Sequence, residues 1–144
     1  MTLPRIGDNT LHIISPNILE LVRVNTKPAG TATVPDSWNF VSPAGTFTAP
    51  SASQFSVSVN DAYVGVTAVY FRRRVAYAPL FPRDMRIENR LYLKLSTPVP
   101  EGALVEVANP GGALWPNVMK FTCTAGPLRP SEAIHVNQEG YTSA

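Results

Sequence analysis

The residues able to do chemistry in this chain are few, and their setting limits what that chemistry could be. Hydrolysis of a glycosidic bond needs two carboxyl groups at a defined separation, one of them with a raised pKa. Asp36, Asp61, Asp84, Glu88, Glu101 and Glu106 are available, but none stands in a context that marks it as paired. Most lie beside turn formers, where Asp and Glu are routine. His12 and His135 are far apart in sequence with no third partner flagged, so neither a metal triad nor a nucleophile relay is indicated, and a surface or strand-filling role suits both. The single Cys123 cannot form an internal disulfide, and alternation through Met119 to Cys123 places it on the side of two apolar residues, the setting of a buried, inert thiol. The chain is therefore expected not to be an enzyme by itself and to need no cofactor. A structural calcium ion, held by loop Asp and backbone carbonyls, stays open.

Binding of a sugar asks for flat aromatic rings against the apolar face of a pyranose, with amide, carboxylate or guanidinium groups beside them for the hydroxyls. Trp38 follows Pro35-Asp36-Ser37, and Trp115 stands between Gly111-Gly112 and Pro116-Asn117, so both are placed on loops. Tyr92 adds an outward ring on a regular strand. The candidate site is thus Trp38, Trp115 and Tyr92 as stacking rings, with Asp36, Asn39 and Asn117 for hydroxyl hydrogen bonds. The same tryptophans serve equally well as plugs for the end of a core, and Tyr92 as a cross-strand packing partner.

Charge gives little direction to a partner. Twelve basic and ten acidic residues leave a net charge of +2, spread along the chain, and no nucleic-acid motif accompanies the one cluster, Arg72-Arg73-Arg74. Such a triplet in a strand more often pairs with carboxylates or lines a solvated edge. With Tyr70 and Tyr77 it also suits an interdomain contact, where aromatics and Arg are enriched. Arg83, Asp84 and Arg86 read as a local charge network. No run of about 18 apolar residues suggests a membrane span, and Met1 to Arg5 has no apolar signal core, so an export signal would lie outside this sequence.

The elements that must position these residues are strands. Fourteen Pro and nine Gly with 44% hydrophobic residues describe many short extended segments joined by turns, and charged residues make up only 15%. Apolar residues recur with period two in Leu11 to Ser15, Ile18 to Asn25 and Phe55 to Val59, and Asn60-Asp61-Ala62 turns the last of these into Tyr63 to Phe71. That strand continues through the arginines to Tyr77, a length that implies a bulge or a switch between sheets. Met85-Arg86-Ile87 leads over Glu88-Asn89-Arg90 into Leu91 to Leu95, whose odd positions face the core. Ala103 to Ala108 and Val118 to Cys123 follow. Roughly seven to nine strands with no convincing helix predict an all-β, immunoglobulin-like, two-sheet antiparallel β-sandwich. Its expected bounds are an N-terminal extension over 1–10, the sandwich over 11–125, a Pro/Gly linker over 126–132, and the truncated start of another domain over 133–144.

That last stretch, Ile134-His135-Val136-Asn137-Gln138-Glu139-Gly140-Tyr141, resembles the opening strand of the immunoglobulin-like domain that precedes the catalytic barrel in family 9 glycoside hydrolases, with Glu139 where that family is usually apolar. The region from Trp38 to Phe121 looks like the extra sandwich module in front of that domain in some bacterial cellulase-like proteins. The pieces that carry this likeness are Trp38-Asn39-Phe40, Phe71 to Arg74, Ala78-Pro79-Leu80, Arg83 to Ile87, Leu91 to Leu95, Asn109 to Gly112 and Leu114-Trp115-Pro116. The family's catalytic acid and base lie in the barrel, so no catalytic residue carries over. What the resemblance implies is a non-catalytic accessory module of a secreted, extracellular or periplasmic polysaccharide-degrading enzyme. Its partners would be a β-glucan or related plant cell-wall polysaccharide bound through exposed rings. The alternative is a spacer or docking domain packed on its neighbours.

Overall fold

A computed structural model describes residues 3–27, 38, 40, 42, 44–81 and 84–127. Among these residues eight strands form two sheets: β1 (Asn9–Ser15), β2 (Ile18–Lys27), β6 (Met85–Leu95) and β5 (Val66–Tyr77) in that order, and β4 (Ala62–Val64), β3 (Ser56–Val59), β7 (Leu104–Ala108) and β8 (Lys120–Thr124) in the other. All pairings are antiparallel. Lettered in chain order, with β4 as C′, the first sheet reads A-B-E-D and the second C′-C-F-G, the immunoglobulin arrangement. Among the described residues the one helical piece is a single 3-10 turn over Ala52–Gln54, closed by a reciprocal Ser51–Gln54 capping box.

Alternation sets which side chains meet. Leu11 and Ile13 of β1, Leu19 and Leu21 of β2 and Leu91, Leu93 and Leu95 of β6 face Val57 and Val59 of β3, Val105 and Val107 of β7 and Phe121 of β8 in one core. The β3–β4 hairpin turns on Asn60 and Asp61, both with positive φ (48° and 64°), the backbone that a two-residue I′ turn requires and that Asn and Asp tolerate. The long apolar stretch from Ala62 to Tyr77 is resolved as a switch between sheets. β4 ends in the second sheet, Gly65 crosses, and β5 begins in the first. A Cβ on Gly65 would meet the Ser96 hydroxyl at 3.3 Å, beside the backbone bond from Ser96 N to Gly65 O.

One expectation is corrected here. Glu88-Asn89-Arg90 is no connection but the middle of an 11-residue strand, flanked by β2 and β5 and buried on both faces. Charged residues survive there because each meets an opposite charge across or along the strand, as described below. The segment 128–144, with the proposed opening strand of a further domain, lies outside the described residues.

Candidate functional site

Two regions compete for the role of a site. The first is the aromatic end of the core. Trp38 is fully buried, its Nε1 donating to Leu114 O at 2.9 Å, and Trp115 is 2% exposed, its Nε1 donating to Met119 O at 3.1 Å. Their ring centroids are 6.0 Å apart, and Phe121 lies 6.2 Å from Trp38 and 5.0 Å from Trp115, edge to face with the latter. Phe55 completes the cluster at 6.0 Å from Trp115. The expectation that these two indoles are offered on loops to a ligand is thus overturned by their burial. The physical reason is local. Asn109 Nδ2 donates to Trp115 O at 2.7 Å and Gly112 N to Asn109 O, so the loop folds back and turns the ring inward, where loop carbonyls take both indole N–H groups.

Behind that cluster the inner face of the first sheet turns polar. Arg73 donates from Nε to Asn89 Oδ1 at 2.6 Å and from Nη2 to Trp38 O at 2.7 Å, while the Arg23 guanidinium lies 6.0 Å from the Trp38 ring centroid and donates to Leu114 O. These arginines tie Trp38 and Leu114 to the sheet.

The second region is the outer face of the first sheet, where the register lines up residues from four strands. His12, Glu20, Tyr92 and Tyr70 form one row, Thr10, Val22, Arg90 and Arg72 the next, and Val24, Glu88 and Arg74 the third. Glu20 accepts from Arg90 Nη1 at 2.7 Å and lies 2.9 Å from His12 Nδ1. Glu88 accepts from Arg90 Nε at 2.7 Å and from Arg74 Nε at 2.9 Å, with a further contact from Arg90 Nη2. The result is a continuous chain of charge, Glu20–Arg90–Glu88–Arg74, across the sheet, with the His12 ring joined to it through Glu20. Glu20, Glu88 and Arg90 are 2%, 7% and 8% exposed, buried together with their ion-pair partners on this face.

Electrostatics follow from that packing. Burial works to raise the Glu20 carboxyl, but hydrogen bonds from His12, Arg90 and Tyr92 and the charge of Arg90 outweigh it and lower its pKa from 4.5 to about 2. The Tyr92 hydroxyl is pushed up, first by burial and then by the Glu20 charge, and Arg72 adds a hydrogen bond that pulls the other way. A carboxyl held so firmly ionised is the opposite of a general acid.

The residues expected to form a sugar site are not brought together. Trp38 and Trp115 are inside, Tyr92 is half-buried on the outer face of the first sheet, Asn117 is exposed in the loop after Trp115, and Asp36 and Asn39 lie outside the described residues. Sequence reasoning passed over Glu20 and took Arg90 as a connector. The available signal was a charged residue at the outward position of Leu19-Glu20-Leu21, but its partner lies 70 residues away. Cys123, expected to be buried, is half-buried against the core with its thiol pKa raised by burial, and of the expected charge network Arg86 donates to Asp84 at 2.7 Å while Arg83 lies outside the described residues.

Among the described residues no group of three or more His, Cys, Asp or Glu side chains could hold a metal ion, and no helix is long and apolar enough to cross a membrane. Comparison with protein-family models, curated proteins and solved structures finds no match to this chain.

Proposed function

We propose that this chain is a non-catalytic accessory module of a larger, exported polysaccharide-degrading protein, an immunoglobulin-like sandwich that serves as a rigid spacer docked on neighbouring domains. The exported enzyme context draws on the resemblance of Ile134 to Tyr141. The choice of docking over stacking on a neutral β-glucan rests on one observation: both tryptophans lie in the core with their N–H groups satisfied by Leu114 and Met119. A docking role also has surface to use. Leu80 and Phe81 stand 100% and 93% exposed just after β5, and Leu80 lines an apolar pocket with Ala78, Pro79 and Met85. Adjacent large apolar side chains in water are the usual mark of a contact surface. The absence of a catalytic role is supported by Glu20 and Glu88, which the fold brings to a shared Arg90 as ion pairs rather than to a cleft as acid and base.

Affinity electrophoresis through gels containing barley β-glucan or xyloglucan tests the choice. Migration should be unchanged in both polymers relative to a polymer-free gel. Retardation that Tyr92→Ala abolishes, with the fold intact by circular dichroism, would return the function to glucan binding.

A further inference from the structure

The outer face of the first sheet is organised in depth. The two carboxylates lie lowest, with Glu20 and Glu88 side chains 3% and 9% exposed, while the cations reach further out, with Arg74 48% exposed and Arg72 and Lys94 exposed as well. Arg90 lies at the same depth and pairs with both acids, so the charged groups that reach solvent on this face are cations, beside the Tyr70 ring and the neutral Thr10. Along β5 the outward positions run Tyr70, Arg72, Arg74, a ring followed by two guanidinium groups spaced by two strand residues, roughly 7 Å. Tyr70 is 56% exposed. Its neighbours are held in place: Arg74 by Glu88, and Arg72 by its hydrogen bond to Tyr92, whose hydroxyl also serves Glu20.

From this arrangement we infer that the outer face of the first sheet binds an acidic polysaccharide, a polymer of uronate sugars, with Tyr70 stacking on a pyranose and Arg72 and Arg74 taking carboxylates. This goes beyond the docking reading and does not rest on it. Charge complementarity selects an anion, since the exposed groups are positive and the acids are covered. A planar guanidinium fork matches a carboxylate in a two-pronged bond, and a tyrosine ring matches the apolar face of a sugar. A row of three exposed groups along one strand suits a polymer more than a small anion. Nucleic acid is disfavoured by charge density: duplex DNA carries one charge per roughly 1.7 Å, and this chain offers a net charge of only +2 with ten acids on it. A uronate polymer spreads one charge over each sugar ring. An acidic peptide would satisfy the arginines but leave the Tyr70 ring unused.

Titration of the full chain with calcium-free polygalacturonate tests the inference. The controls are the same polymer after carboxyl reduction, poly-L-glutamate and duplex DNA. Saturable, salt-sensitive binding of polygalacturonate is expected, with none of the reduced polymer and much weaker binding of the peptide and the DNA. Arg72→Ala should weaken binding about tenfold, the size of one lost charge-assisted hydrogen bond, and Tyr70→Ala about fivefold, while Lys120→Ala on the second sheet changes nothing. Both sites on β5 are exposed, so the variants keep the fold, checked by their urea midpoints. The inference is overturned if folded chain fails to bind polygalacturonate, if polyglutamate or DNA binds as tightly, or if Tyr70→Ala leaves affinity intact.

Discussion

The aromatic end of the core and the outer face of the first sheet exchange the roles their residue types suggest. Tryptophans among turn residues look like a ligand platform and turn out to seal the sandwich, with Trp38 fully buried. A strand segment of Glu, Asn and Arg looks like a solvated connection and turns out to be the centre of a sheet, with Arg90 8% exposed. What separates the two is where the polar atoms find partners. Each indole has one donor, and a loop carbonyl satisfies it inside; each carboxylate needs several donors, which only the aligned strands of a face supply.

The contrast can be broken most forcefully at the aromatic end. Trp38→Ala should lower unfolding free energy by about 4 kcal/mol in urea titration, the cost of a large core deletion. A cost below about 1 kcal/mol would mean the ring is a surface feature after all. On the outer face, Arg90→Met removes the cation shared by two buried carboxylates and should cost about 3 kcal/mol. The same titration, repeated with a Glu20→Gln partner, sharpens the point: removing the acid in the Arg90→Met background should recover part of the loss, because the orphaned charge goes with it.

Acid makes a third probe. Glu20 has its pKa lowered from 4.5 to about 2, so the stability it contributes is present above 4.5 and is lost as pH falls toward 2. That drop corresponds to about 3 kcal/mol. The slope of stability against pH over this window should be shallower in Glu20→Gln, and an unchanged slope would assign acid sensitivity elsewhere. The smallest effect belongs to ordinary surface. Lys120, 3.2 Å from Glu106 on the outer face of the second sheet with its side chain 52% exposed, should cost no more than about 0.5 kcal/mol on change to Ala.

How much of this was legible in the sequence depends on the range of the interaction that fixes it. The strands were legible because alternation is local: Leu91, Leu93 and Leu95 face the core as their spacing requires, and Asn60-Asp61 marks the hairpin turn. The implied break in the stretch from Tyr63 to Tyr77 was legible as excess length, and Gly65 is where it falls. The charge chain was not legible, since Glu20 and Arg90 are 70 residues apart and only strand order β2-β6 makes them neighbours. The direction of Trp38 was equally hidden. The group that takes its N–H, Leu114 O, is 76 residues downstream.

The position of the indoles decides between docking and stacking, and the chain has only two tryptophans, Trp38 and Trp115, so their fluorescence reports on nothing else. Acrylamide quenching of the native chain, set against the urea-unfolded chain, measures their exposure directly. A native quenching constant several times smaller than the unfolded one is the expected result. A native constant close to the unfolded value would place the rings in solvent and contradict the docking reading.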